Sequence, residues 1–297
     1  MYGIVNMEVR KFLIIFSLIF FSIFFLGCTS KNTSSDEKNV YSSDYISVSV
    51  KLPNSVFVGD SFSIPITLST QISDNRWIFC LHSFKSISYE VNGKDCVSSE
   101  DVSYEKENNQ YVYKFSLPQN GYINIKDTVI NKNNEKVVLL GCFKDRVNIL
   151  FSGNLKKEGI EYLNVTGISR FSPFDVREAT VYYDKLKNKY IFIIKLIYKR
   201  NIGNIDIIGI SRSEIPKCSV SSVGDKNSLN YILTLVYKDR TYTSSGVFEF
   251  PNSKDSLINL KVELDFSEEV RSGIISLILD YNIVALIDAG VISIQKV

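Results

Sequence analysis

The residues of this chain best equipped for chemistry are its thiols. Cys28 closes an uncharged run from Phe12 to Leu26 and precedes a polar stretch, so its sulfur is placed for alkylation near a membrane. Cys80, Cys96, Cys142 and Cys218 lie further on; four cysteines allow two disulfides in three connectivities. Cys80, His82, Cys96 and Cys142 would supply three sulfurs and one imidazole to zinc. Cys-x-His, however, sets neighbouring ligands on one strand face without the usual knuckle spacing, so no metal site is expected. The chain has one histidine and no Gly-x-Ser-x-Gly elbow, which leaves a serine triad without a frame. Asp175 and Glu178 form a pair of carboxylates of the kind glycoside hydrolysis uses, but Arg170 and Arg177 beside them point to surface ion pairs. Phosphate-loop, dinucleotide and EF-hand spacings do not occur. No catalytic residue and no cofactor is expected.

Those thiols must be placed by the elements around them, beginning with the leader. Met7 to Lys11 ends in Arg10 and Lys11 and precedes the apolar run, the layout of a secretory signal over residues 1–27. The run falls short of the ~20 residues of a comfortable transmembrane helix. Phe25-Leu26-Gly27-Cys28 resembles the lipobox of bacterial and archaeal lipoproteins. That resemblance implies that Cys28 carries lipid and becomes the first residue after cleavage. The alternatives are an uncleaved single-pass anchor and a leader cut elsewhere; all three put the bulk of the chain on the extracytoplasmic face of the cell membrane. Residues 28–43 have little to bury and read as a disordered tether with a reach of about 20 Å.

From Tyr45 onward a period of two dominates: Tyr45 to Leu52, Phe62 to Leu68, Tyr111 to Leu117, Tyr122 to Ile130, Tyr190 to Tyr198, Leu229 to Tyr237, Leu257 to Phe266 and Ile274 to Tyr281. These runs are rich in Ile, Val, Tyr and Phe and are separated by Asn, Asp, Gly and Ser, which predicts an all-β chain. Ser267 to Ser272 is the one stretch read as a helical turn, with Ser267 as its cap. Residues 64–81 lie without gaps over 193–210; Lys94 to Ser99 echoes Lys217 to Ser222, and Tyr111 to Phe115 echoes Tyr231 to Leu235. Either duplication or strand alternation alone accounts for these matches. The interruption from Gly153 to Gly159 sets the boundary between two sandwiches, 44–155 and 156–297.

The segment Pro53 to Ile64, with its Gly59-Asp60 turn, resembles the opening of immunoglobulin-like modules of microbial surface proteins. Asn201-Ile202-Gly203 is similar to a turn of CARDB-type adhesion modules. The resemblance implies two tandem immunoglobulin-like β-sandwiches. It also makes Cys80–Cys142 comparable to an inter-sheet bridge, although Trp77 precedes Cys80 instead of following it. Free buried thiols are the alternative, and Cys96 and Cys218 are either free or paired between domains.

The net charge of +2 is dispersed, with no basic stripe of the kind nucleic acid requires. Asn32 and Asn164 begin glycosylation sequons, which an exported chain can use. These observations together lead to the expectation of a membrane-anchored protein for non-covalent recognition of protein or glycan, or for scaffolding, at the cell envelope. The rivals are an envelope hydrolase on a β scaffold and an accessory subunit of a membrane complex.

Overall fold

A computed structural model describes residues 37–43, 45–71, 76–84, 89–126, 134–168, 172–212, 218–222, 224–253 and 255–295. The leader, Cys28 and Asn32 lie outside them. In the first half the strands are β1 (Glu37–Ser42), β2 (Ile46–Lys51), β3 (Ser55–Phe57), β4 (Ser61–Phe62), β5 (Ile64–Thr70), β6 (Trp77–Phe84), β7 (Tyr89–Lys94), β8 (Cys96–Ser98), β9 (Tyr104–Glu107), β10 (Gln110–Leu117), β11 (Gln119–Ile125) and β12 (Asn134–Leu155). The second half adds β13 (Ile160–Tyr162), β14 (Asn164–Gly167), β15 (Phe174–Asp184), β16 (Lys189–Tyr198), β17 (Asn201–Ile202), β18 (Ile205–Ser211), β19 (Lys226–Tyr237), β20 (Arg240–Pro251), β21 (Ser256–Leu264) and β22 (Val270–Gln295). A single 3-10 turn, Val220–Ser222, is the only helical element among the described residues. The chain is all-β. Alternation explains why: Ile46, Val48 and Val50 of β2 turn inward while Ser47 and Ser49 stay half-exposed, and other runs repeat that pattern.

The largest sheet is built on β12 and β22, antiparallel from Asn134 opposite Ser293 to Leu155 opposite Val270. β6 and then β8 flank β12; β18 and β19 flank different stretches of β22, and β20 continues outward from β19. At one end, sheet β1-β2-β5-β10-β9 covers it. Trp77 of β6 stacks on Phe115 of β10 at 4.7 Å and meets Tyr113 edge-on at 5.2 Å. At the other end sheet β13-β15-β16-β21 does the same, with Phe174 against Tyr281 at 5.5 Å and against Phe250 at 5.9 Å. A small sheet, β4-β11-β7, completes the first end. One apolar cluster runs through both ends, and each fully buried Leu, Ile or Phe in it contributes roughly 1.5–3 kcal/mol.

The two halves share a pairing order. β1-β2-β5-β10 in one sheet matches β13-β15-β16-β21 in the other, and β8-β6-β12 matches β20-β19-β22, with every partner antiparallel. The ungapped alignment of 64–81 with 193–210 agrees in laying β5 on β16. It departs in laying β6 on β18, and the echo of Tyr111 to Phe115 in Tyr231 to Leu235 departs in laying β10 on β19, because strand alternation alone fits several registers.

Two expectations need correction, and the expected domain boundary has a ladder across it. Residues 37–42, placed in the tether, form β1 against β2, with Val40 4% and Tyr41 3% exposed; those two apolar side chains outweigh the polar residues around them. The boundary set at 155/156 falls between β12 and β13, and the β12–β22 ladder joins the strands on its two sides. The stretch from Ser267 to Ser272 is not helical: it leads into β22, where Val270 is buried opposite Leu155. The Gly59-Asp60 turn does form. Asp60 accepts the Phe57 N–H at 3.1 Å, and Gly59 has φ +90°, a value that side chains resist.

Candidate functional site

Midway along the β12–β22 ladder the flanking strands stop. β6 begins at Trp77, opposite Phe143, and β18 ends at Ser211, opposite Asn282. Beyond them the outer face of the ladder forms the floor of a cleft of about 500 Å³. Outward positions alternate along both strands, so Cys142 and Lys144 on β12 and Asp280 and Asn282 on β22 reach this face. Arg76, Ser98, Ser99 and Glu100 wall one side, and Arg212 and Asn230 the other.

The charges are mixed. Arg76, Lys144 and Arg212 are positive, Glu100 and Asp280 negative, so three cations less two anions leave a formal +1. Asp280 is already engaged: Arg146 Nη2 lies 3.0 Å from its Oδ2 and Lys144 Nζ 3.5 Å from the same oxygen. The Arg146 guanidinium also lies 5.8 Å from the centre of the Tyr45 ring. Arg212 and Glu100 make no ion pair among the described residues. Amide and hydroxyl groups beside charges of both signs suit reversible binding of a polar ligand carrying negative charge.

On the inner face of the same ladder, Asp145 is completely buried. Its carboxylate accepts the Tyr41 hydroxyl at 2.5 Å, the Ser43 hydroxyl at 2.8 Å and the Arg146 N–H at 2.8 Å. Tyr281 stands directly opposite Asp145 on β22. Burial first, then the Asp145 charge, push the Tyr281 and Tyr41 phenols well above their ordinary range. Sequence reading missed both faces of this waist. The visible signal was Lys144-Asp145-Arg146, three charges interrupting an apolar strand.

All four candidate cysteines are paired, as Cys80–Cys96 and Cys142–Cys218. The immunoglobulin-like pairing Cys80–Cys142 does not occur. Such a bridge joins facing sheets, whereas β6 and β12 are neighbours in one sheet, where Cys80 stands opposite Leu140 and Cys142 opposite Ile78. Cys80 instead faces Cys96 directly across the β6–β8 ladder. The two bridges sit together on the outer face with Leu140 and Val284, beside the cleft. Bridging withdraws three of the four ligands from the weighed zinc set. His82 is exposed, and no metal-holding group of His, Cys, Asp and Glu occurs among the described residues.

Asp175 and Glu178 both lie on β15, each in its own ion pair, Asp175 with Lys199 and Glu178 with Lys195 at 2.8 Å. The partners are lysines of β16 and its end, in place of the arginines expected, because pairing across the β15–β16 ladder sets Glu178 opposite Lys195. Asn164 is exposed at the start of β14, opposite Ser152 of β12. No family model, curated protein or solved structure matches the chain.

Proposed function

We propose that this chain is a lipid-anchored protein of the extracytoplasmic membrane face, built as two immunoglobulin-like sandwich lobes, which recognises an envelope ligand non-covalently. The observation that carries the reading is the waist cleft, where Arg76, Lys144 and Arg212 converge with Ser98, Asn230 and Asn282. Two disulfides support the location, since such bridges persist in oxidising compartments. Cys28, placed for lipid after the leader, would tie the folded part to the membrane, and β1 would begin soon after it. The ligand class that fits is an acidic glycan or an acidic protein segment. Nucleic acid fits poorly, because the cleft carries almost as much negative as positive charge.

The test is binding of the full chain to immobilised acidic and neutral envelope glycans and to surface proteins. Acidic ligands should bind, weaken as salt rises, and lose about tenfold in affinity with Arg212→Ala. Absence of binding at high micromolar concentration, or binding indifferent to Arg212→Ala, overturns the reading. Mass measurement of the native N-terminus checks the anchor separately: lipid on Cys28 supports it, and an intact leader replaces it with a single-pass anchor. A second reading, accessory subunit of a membrane complex, draws on the exposed apolar residues Ile232, Val236, Val247 and Ile274 on β19, β20 and β22.

A further inference from the structure

Most edge strands of this fold are short or charged. β8, β13 and β17 span Cys96–Ser98, Ile160–Tyr162 and Asn201–Ile202, and β9 reads YEKE. β21, a longer edge, carries Lys261 and Glu263. Such devices keep strand edges from pairing with other chains. β20 lacks them. It is 12 residues long, is paired with β19 alone among the described residues, and carries no charge between Arg240 and Glu249.

The hairpin geometry says which backbone groups stand free. Lys238 and Asp239 have φ of 49° and 61°, the two-residue turn that joins tight hairpins, and Tyr237 opposite Arg240 closes it. In that arrangement the closing pair bonds to itself and alternate pairs follow. The even-numbered residues of β20 therefore bond to β19. Thr241, Thr243, Ser245, Val247 and Glu249 aim their N–H and C=O groups at the open edge, and all five side chains are exposed. Among the described residues, these five make no hydrogen bond or ion pair outside the β19–β20 ladder.

We infer that β20 is a homodimer interface, pairing antiparallel with β20 of a second copy about a two-fold axis at Ser245. This goes beyond the cleft and does not depend on it. Two-fold pairing of one edge with itself requires odd residues to meet odd residues, and centring on Ser245 satisfies this. Thr241 then faces the second copy's Glu249, Thr243 faces its Val247, and Ser245 faces its own counterpart. Each Glu249 carboxylate then lies beside the other strand's Thr241 on the exposed face, far from the second Glu249, so no like charges meet across the axis. Between them lie hydroxyls and valine methyls, which pack well across a ladder. The sheet continues through the axis, with Tyr242 opposite the second copy's Phe248 on the inner face.

Sedimentation of the full chain in a non-ionic detergent tests the inference. A dimer should be present at micromolar concentration. Val247→Pro removes an N–H that points away from β19, so it should abolish the dimer while leaving the circular dichroism spectrum and melting intact. Thr243→Lys with Val247→Lys, both on exposed side chains, sets lysine against lysine and should weaken dimerisation at least tenfold. Ser245→Cys should cross-link on oxidation well above the wild-type level, and Thr243→Cys should not. A monomer at ~100 μM would overturn the inference, as would a dimer indifferent to the lysine pair or Ser245→Cys failing to cross-link.

Discussion

The Tyr41 hydroxyl donates to the buried carboxylate of Asp145 at 2.5 Å, across 104 positions of sequence. This bond holds the first strand, β1, to the midpoint of β12, where the two ends of the fold meet. Ser43 adds a second hydroxyl to the same carboxylate.

Asp145→Ala should therefore destabilise the whole domain, by about 3 kcal/mol, because it leaves the buried Tyr41 hydroxyl and the half-buried Ser43 hydroxyl without this acceptor. Tyr41→Phe should cost less, about 1–2 kcal/mol, since the carboxylate keeps Ser43 and the Arg146 N–H. Denaturant titration measures both. Equal losses would mean that the Tyr41 bond carries all of the Asp145 contribution and that Ser43 and the Arg146 N–H add nothing.

Alkaline unfolding should be cooperative. Tyr41 and Tyr281 are held protonated by burial and by the Asp145 charge, so the folded state binds protons that the unfolded chain releases near pH 10. The stabilisation is complete below pH 10 and is lost as pH rises beyond it. Phenolate absorbance from Tyr41 and Tyr281, taken as the difference from Tyr41→Phe and Tyr281→Phe variants, should appear together with loss of the β spectrum. Phenolate forming at these residues in a still-folded protein would contradict the burial.

The disulfides should contribute unequally. Cys142–Cys218 closes 76 positions and Cys80–Cys96 closes 16. Loop entropy gives ~4 kcal/mol for the first and ~3 kcal/mol for the second. Cys142→Ser with Cys218→Ser should lower the melting temperature by about 10 °C, more than Cys80→Ser with Cys96→Ser does. The reverse order in calorimetry would show that local packing of the β6–β8 pair dominates.

Acid should loosen the turn after β8 before the core. Asp101 accepts the Ser98 hydroxyl at 2.7 Å and the Ser98 N–H at 2.9 Å, and lies 3.1 Å from Lys94. These contacts, the Ser98 hydroxyl first, lower its pKa from 3.8 to about 2. A depressed carboxylate stabilises fully above its unfolded value, so this contribution is lost as pH falls from about 4 to about 2. Amide exchange at Ser98 should rise across that window, and Asp101→Asn should reproduce the rise at neutral pH.

Gly121 tests the small β4-β11-β7 sheet. A Cβ there would lie 1.8 Å from the Asn92 carbonyl oxygen, and backbone cannot move aside as a side-chain tip can. Gly121→Ala should cost about 2–3 kcal/mol by denaturant titration.

Alternation of Ile, Val, Tyr and Phe with polar residues was enough to read an all-β chain and to locate its principal strands, because a period of two has one structural solution. Gly59-Asp60 was equally legible, a turn being local chemistry. Partner choice was not. Whether Cys80 bonds Cys96 or Cys142 depends on which strands are neighbours in one sheet and which face each other. Those relations join residues far apart in sequence, and similar alternating runs fit several of them. The same holds for β12 and β22, whose long ladder makes one core of two halves, and for Asp145, which reads as one more surface charge until Tyr41 is brought beside it. Residue type determined which positions turn away from water; only the tertiary structure decided what each of them meets there.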